Sequence, residues 1–243
     1  MLYNYFFSKE NLEYYLLELA KEYRKLSEKA MPAEMILVGG ASILVNYGFR
    51  ETTYDLDAII HASSAMKDAI NNISDRYDLP NGWINSDFAK TKSYAPKLIE
   101  HSVFFRTYHR ILTVRTVAAE YLIAMKLMSG RKYKNDLSDI IGILLEHKRL
   151  GDPVSAQRID SAVRTLFGSW KRIPQDSTDF IGLVTANDDY EFLYNEYRKT
   201  ETENRDILAD FTSKYPDMVN SDNANDILAK AKQIKEKGSV TKR

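Results

Sequence analysis

The chain has 243 residues, of which 44% are hydrophobic and 28% charged, and its formal net charge is zero. This composition suffices for one well-buried core with a helical extension. The absence of cysteine excludes disulfides and cysteine-ligated zinc and suits a reducing cytosol. Because no apolar run approaches the length of a membrane span and the N-terminal residues do not resemble a signal peptide, we expect a cytoplasmic protein without a membrane partner.

The first predicted element is a packing helix that begins at Ser8 and ends near Pro32. Leucines and tyrosines recur along it at helical spacing. A short buried strand, Ile36 to Val38, follows it. The pair Gly39-Gly40 then allows a sharp turn and a close backbone approach to a ligand. We predict that Ser42 opens the next helix, where free N–H groups and a serine hydroxyl suit phosphate oxygens.

The next predicted elements are the end of that helix at Gly48 and a strand from Thr53 to Ile60. Asp55 and Asp57 alternate along this strand, so both are expected on one face. Two such carboxylates favour a hard divalent cation, Mg²⁺ or Mn²⁺. The alternative is an exposed strand edge, but the apolar residues that alternate with the two acids favour a strand packed on a core.

A helix over Ala62 to Tyr77 and two strands, Ser102 to Tyr108 and Arg110 to Val114, come next, and the remainder is predicted to be helical. Between Val117 and Leu150 lie four further charged candidates: Lys126, Arg131, Asp136 and Asp139. On one continuous helix Lys126 and Arg131 would face different ways, so Gly130 is predicted to end a helix between them. The alternatives are a surface lysine for Lys126 and helix capping for the two aspartates.

Taken in order, these residues form a series of four motifs: Gly39-Gly40-Ala41-Ser42, Asp55-Leu56-Asp57, Lys126 with Arg131, and Asp136 with Asp139. The series resembles the AbiEii/MenT-like toxin nucleotidyltransferases and related bacterial families, over roughly residues 30 to 150. The resemblance implies an α+β fold of the polymerase-β nucleotidyltransferase type, with a small mixed sheet and helices. It also implies transfer of a nucleoside monophosphate from a nucleoside triphosphate (NTP) to an acceptor hydroxyl.

The resemblance further assigns roles to the candidate residues. Asp55 and Asp57 would bind Mg²⁺ or Mn²⁺. The catalytic set would be Asp55, Asp57, Lys126, Asp136 and Asp139, and the nucleotide-binding set Gly39, Gly40, Ser42, Lys126 and Arg131. The implied acceptor is tRNA or another RNA, and the implied role is that of a toxin in a toxin-antitoxin or phage-defence system, neutralised by an antitoxin protein.

One departure from the polymerase-β pattern leaves an alternative open. Classical members of that fold place a third carboxylate on a later strand, whereas Val103 to Val114 contains no acid. The number of metal ions is therefore open. The alternative function is a non-catalytic nucleotidyltransferase-like domain that binds nucleotide, RNA or a protein partner.

Charge is distributed unevenly along the sequence. Residues 86–134 contain ten Lys and Arg against three Asp and Glu, whereas residues 175–226 contain four against thirteen. The basic stretch, with aromatic residues interleaved, could hold RNA or could be a solvated surface. We predict a nucleotidyltransferase-like domain over residues 1–150, a helical C-terminal region over 151–229 and a flexible tail over 230–243.

Overall fold

The computed structural model describes residues 5–27, 31–220 and 222–240. Within these ranges the chain forms a five-stranded sheet and a set of α-helices. The strands are β1 Ala33–Leu37, β2 Leu56–His61, β3 Ile84–Asn85, β4 Ser102–Tyr108 and β5 Leu112–Val117. The helices are α1 Lys9–Leu26, α2 Gly39–Asn46, α3 Ala65–Tyr77, α4 Ala119–Ser129, α5 Asp136–Arg149, α6 Ala156–Phe167, α7 Gln175–Thr185, α8 Tyr190–Lys214 and α9 Ala224–Val240.

The sheet has the strand order β3-β2-β1-β5-β4 and is mixed. β1 pairs antiparallel with β2 and parallel with β5, while β2 pairs parallel with β3. The C-terminal ends of β1 and β5 therefore lie at the same edge as the beginning of β2. This topology brings Gly39, Asp57 and Val117 to one edge of the sheet. The α+β fold class predicted from the sequence is confirmed, and the architecture agrees with a nucleotidyltransferase-like fold.

Two hydrophobic clusters cover the two faces of the sheet. Helices α1 and α3 pack on one face, with buried side chains such as Leu16 and Ile73. On the other face, one continuous cluster joins Ile36 and Ile123 to residues of α6, α7 and α8, including Val163 and Phe180. This cluster crosses the predicted domain boundary near residue 150, so the C-terminal helices share a core with the domain that precedes them.

Several predicted elements are present in the structure, but some of them begin or end at residues other than those predicted. Helix α1 begins beside Ser8 as predicted, and the Ser8 side chain caps it by accepting a hydrogen bond from the backbone N–H of Asn11. Helix α2, however, begins at Gly39 and not at Ser42, and it ends at Asn46 without a left-handed residue at Gly48. The strand predicted from Thr53 begins only at Leu56, because Thr53 instead forms an isolated bridge with Phe7.

The C-terminal part of the chain is more regular than expected. Helix α9 continues to Val240, so residues 230–240 of the predicted flexible tail are helical, and residues 241–243 lie outside the described part. Alanine, lysine, glutamate and glutamine dominate this segment, and all four are good helix formers. Among the described residues, no helix is both long and apolar enough to cross a membrane.

Candidate active site

The glycine pair lies directly beside the second of the two strand carboxylates. Gly39 has a φ of +55°, and a Cβ atom added there would lie 3.6 Å from Oδ2 of Asp57. A Cβ on Gly40 would approach the Arg50 guanidinium and the Thr53 hydroxyl to 2.8 Å. The turn therefore requires glycine for both conformation and space. It begins α2 above Asp57, where first-turn N–H groups have no acceptor within the helix.

Ser42 lies in the interior, behind this turn. Its side chain is fully buried, and its Oγ accepts a hydrogen bond from the backbone N–H of Val117 at 3.2 Å. In this position the serine ties α2 to the end of β5. Its predicted role in holding phosphate stays a prediction, because the contacts that the structure shows for Ser42 are internal.

Asp55 and Asp57 form the acidic part of the candidate site, which we call the cleft and which also includes the glycine turn, Arg131 and Lys134. Asp55 is exposed, and Asp57 is partly buried at the beginning of β2. Burial, together with the nearby charge of Asp55, raises the pKa of Asp57 to about 6. Arg131 and Lys134 oppose this increase. The pair thus carries negative charge that the protein compensates only in part, and a bound cation would relieve it.

Two further residues beside Asp57 were not identified from the sequence. Asn85 on β3 is the direct strand partner of Asp57. Its Oδ1 accepts from the backbone N–H of Asp87 at 2.9 Å, and the charge of Asp87 also raises the pKa of Asp57. A two-residue strand gives no periodic signal. The only sequence cue is an Asn-Ser-Asp run after a turn, which is typical of loops.

Asp55 and Asp57 remain the candidate metal ligands. The described residues contain no group of three or more His, Cys, Asp or Glu side chains arranged to hold a metal. Mg²⁺ is nevertheless often bound by one or two carboxylates together with substrate phosphates and water. Strands β4 and β5 carry no acid. Extending the strand register one residue past Leu37 aligns Val38 with Asp57 on β2 and with the buried Val117 on β5. The acid-free strands predicted from the sequence are therefore present.

Lys126, Asp136 and Asp139 lie together in the interior. The Lys126 ammonium is 2.9 Å from Oδ1 of Asp136 and 2.8 Å from Oδ2 of Asp139. All three residues are buried, with exposures of 7%, 1% and 2% respectively. Burial alone would lower the pKa of Lys126, but the two aspartates raise it above its usual value. The three residues form a buried ionic network, in which the Lys126 ammonium lies between the two carboxylates.

Two arginines extend this network toward the glycine turn and toward the cleft. Arg50 pairs with Asp139, and its guanidinium also lies against Gly40. Arg131 follows Gly130, which ends α4 with a φ of +56° as predicted. The Arg131 side chain donates from Nε and Nη2 to Asp136 at 2.8 and 3.1 Å. The Arg131 side chain is 34% exposed, and its charge lowers the pKa of Asp57. Arg131 therefore connects the buried network with the cleft.

Lys134 is a second cation at the cleft, and in the sequence it belongs to the basic stretch of residues 86–134. Burial lowers its pKa, the nearby charge of Arg131 lowers it further, and Asp136, Asp55 and Asp57 oppose this decrease. Lys134 is nevertheless exposed, so it is accessible to a ligand beside these charges. The dense run of Arg131, Lys132 and Lys134 after a helix-ending glycine was the available signal.

The basic stretch as a whole is less open than its sequence indicates. Acidic residues from other parts of the chain pair with Lys92, Arg106 and Lys132. Of the interleaved aromatic residues, Phe104 is 62% exposed, Tyr108 is buried, and Tyr94 and Phe105 pack against the hydrophobic clusters. Folding therefore neutralises part of the charge asymmetry seen along the sequence.

One family model matches the chain, over residues 14–152, which is more than half of its length. Its description is "Nucleotidyltransferase of unknown function (DUF6036)". Comparisons with curated proteins and with solved structures gave no match. The matched segment contains the glycine turn, the Asp55–Asp57 pair and the buried network, and it ends before α6. The chain therefore belongs to the DUF6036 family of nucleotidyltransferases.

Proposed function

We propose that this protein is a Mg²⁺-dependent nucleotidyltransferase that moves a nucleoside monophosphate from an NTP to an acceptor hydroxyl. The observation that carries the proposal is the Asp55–Asp57 pair, which lies beside the Gly39-Gly40 turn and faces the cations Arg131 and Lys134. Burial and the charge of Asp55 raise the pKa of Asp57, although Arg131 and Lys134 oppose this, which supports a site whose negative charge is compensated only in part. A divalent cation would neutralise the two carboxylates, and the triphosphate would neutralise the charges of Arg131 and Lys134.

Each residue of the cleft has a distinct part in this proposal. Asp55 and Asp57 would hold Mg²⁺, or Mn²⁺, which neutralises phosphate charge and polarises the α-phosphate when bound. The glycine turn allows the backbone of α2 to approach phosphate oxygens. Arg131 and Lys134 would contact the β- and γ-phosphates, Arg131 as a planar fork and Lys134 as a point charge.

The transfer itself is a displacement at the α-phosphorus. The acceptor oxygen forms a bond to that phosphorus while the bond to the bridging oxygen breaks and pyrophosphate leaves with the electron pair. The acceptor proton passes to a cleft carboxylate or to water. In this scheme Lys126, Asp136 and Asp139 do not contact the nucleotide. Their ionic network holds Arg131 in place through the ion pair between Asp136 and Arg131.

We further propose that the acceptor is an RNA, such as tRNA. We also propose that the protein acts as a toxin controlled by an antitoxin, as the AbiEii/MenT resemblance implies. Of the cations in the basic stretch of residues 86–134, Lys97, Arg110 and Lys134 are exposed and form no ion pair with the described residues, so they are open to a phosphate backbone. Exposed Phe104 could stack on a base.

The second candidate is a non-catalytic domain that binds nucleotide, RNA or a protein partner. Two observations favour it. Strands β4 and β5 carry no third carboxylate, and Lys126, Asp136 and Asp139 are all engaged in internal ion pairs. Such a domain would bind Mg²⁺ and NTP without releasing pyrophosphate.

Transfer assays distinguish the two candidates. The protein is incubated with each labelled NTP, Mg²⁺ and total RNA, and both labelled polymer and pyrophosphate are measured. We expect transfer by the unaltered protein and background levels for Asp55→Asn and Asp57→Asn. Asp75→Asn, an exposed acid on α3, is the matched control and should retain full activity. Normal turnover by Asp57→Asn would refute the metal site, and nucleotide binding without transfer would support the non-catalytic alternative.

A further inference from the structure

The loop that carries Arg131 and Lys134, residues 130–135, is anchored by helices from outside the family-matched segment. Asn225, in the first turn of α9, makes two hydrogen bonds to it. Its Nδ2 donates to the carbonyl oxygen of Gly130 at 2.9 Å, and its Oδ1 accepts from the backbone N–H of Lys132 at 3.1 Å. These two bonds fix the backbone on either side of Arg131.

Helix α8 anchors the same segment through one stripe of side chains. Asn204 donates to the carbonyl oxygen of Lys132 at 2.6 Å, and Arg205 donates to Oδ1 of Asn135 at 2.9 Å. Glu201 accepts from the backbone N–H of Leu137 at 2.8 Å. Positions 201, 204, 205 and 208 share one helical face, so a single face of α8 contacts both the loop and the first turn of α5.

A small apolar cluster completes the contact. Leu208 of α8 packs with Ala224 and Leu228 of α9, and the loop residue Tyr133 lies against them. This cluster is separate from the two larger clusters that cover the sheet. Because it is small, the attachment of α9 should be among the least stable parts of the fold. The polar contacts of Asn225 are therefore a large share of what joins α9 to the loop.

We propose that α8 and the first turn of α9 form a clasp that positions the loop of residues 130–135 for the triphosphate, with Asn225 as a positioning residue. This inference rests on the proposed nucleotidyl transfer and assigns a task to the C-terminal helices. Lys134 has no ion-pair partner within the described residues, so its position depends on the loop backbone. Without Asn225 the loop samples more conformations, and a triphosphate must order it on binding.

The test combines hydrogen–deuterium exchange of the loop with nucleotide binding by calorimetry, in the full chain. Asn225→Ala removes both bonds, whereas Asn225→Asp keeps the acceptor for the N–H of Lys132 and loses the donor. Lys230→Ala, an exposed position on the same helix, is the matched control. Binding of ATP, GTP, CTP and UTP is measured with Mg²⁺, and KM is compared with kcat for any NTP that supports transfer.

We expect faster exchange in residues 130–136 for Asn225→Ala, while exchange in β1 is unchanged. Its nucleotide Kd and KM should rise about tenfold with little change in kcat, in line with losing a hydrogen bond that supports a contact residue. Asn225→Asp should also exchange faster, and Lys230→Ala should behave as the unaltered protein. Unchanged loop exchange, or faster exchange with unchanged Kd, would overturn the clasp alone. An unaltered protein that binds no NTP would overturn the proposed function as well.

Discussion

Two pairs of aspartates in this protein resemble each other in sequence but occupy opposite environments. Asp55 and Asp57 lie at the edge of the sheet, with Asp55 exposed and Asp57 partly buried. Asp136 and Asp139 are almost fully buried at the beginning of α5. The pKa of Asp57 rises to about 6 through burial and the charge of Asp55. Burial would also raise the pKa of Asp136, but Lys126 and Arg131 outweigh it and hold that pKa far below its usual range.

The comparison shows that counter-charge, and not burial alone, separates a structural carboxylate from one available to a ligand. The interior pair faces Lys126, Arg131 and Arg50 at ion-pair distance. The cleft pair has cations nearby, but no ion pair to Asp55 or Asp57 forms among the described residues. A buried pair that is fully matched stabilises the fold only while both partners are present. An unmatched pair costs stability until a cation binds.

The largest expected effect is a loss of stability in Asp136→Asn. This change leaves the buried Lys126 and the partly buried Arg131 facing a neutral amide. Breaking a buried ion pair in this way typically costs about 3–5 kcal/mol in the free energy of unfolding. Urea denaturation followed by circular dichroism measures it, with Asp75→Asn as the exposed control. A loss below about 1 kcal/mol would show that the interior pair is no more structural than a surface pair.

A pH-dependent effect of Glu201→Gln should come next in size. Burial raises the pKa of Glu201 to about 8, although hydrogen bonds from Ser138 and Leu137 oppose this. Because the folded-state pKa is above that of the unfolded chain, the contribution of Glu201 is present below about pH 4.5 and lost as pH rises through 8. The slope in this window is on the order of 1 kcal/mol per pH unit.

Glutamine can accept from Leu137 and donate to Ser138 without ionising, so its stability should lack this slope. Urea midpoints of both proteins at pH 5, 6, 7 and 8 test the difference. We expect the variant to gain stability relative to the unaltered protein as the pH increases. Parallel curves would mean that Glu201 is ionised throughout this range.

Nucleotide binding should separate the two lysines associated with the site. Lys134→Ala removes a cleft cation and should weaken binding of Mg²⁺·NTP by about 1–3 kcal/mol, the range for contacts to charged groups, with little change in stability. Lys126→Met removes the cation between Asp136 and Asp139 and should mainly destabilise the fold. Calorimetric titration and thermal unfolding of both variants provide the comparison. The opposite pattern would return Lys126 to the phosphate-binding role predicted from the sequence.

The smallest expected effect is a gain in stability for Asp57→Asn without metal. The folded-state pKa near 6 means that ionised Asp57 opposes folding at neutral pH. After allowance for solvent screening, we expect the variant to be more stable by about 1 kcal/mol at pH 7.5 and equal to the unaltered protein near pH 4. Urea denaturation with a chelator present measures this. Excess Mg²⁺ should remove the difference, and destabilisation by the substitution would contradict an uncompensated pair.

Local patterns in the sequence determined much of the framework around the site. Apolar spacing and the Ser8 cap predicted α1, and the apolar runs predicted the strands β1 and β2. The sharp turn at Gly39-Gly40 and the end of α4 at Gly130 were both confirmed by positive φ angles. These features depend on a few consecutive residues, so the conformational limits of glycine and the periodicity of helices and strands suffice to predict them.

Only the tertiary structure decided which charged side chains are available to a ligand and which are paired with an opposite charge inside the protein. Arg50 and Asp139 are 89 positions apart, and Asn225 and Gly130 are 95 apart. No local pattern specifies such pairs, because they arise when separate elements pack. For the same reason the sequence alone could not show that Lys126 lies between two aspartates, or that Asn85 pairs with Asp57. Spacing along the chain fixes the face on which a charge lies, while its energy depends on burial and on the counter-charge that the fold brings to it.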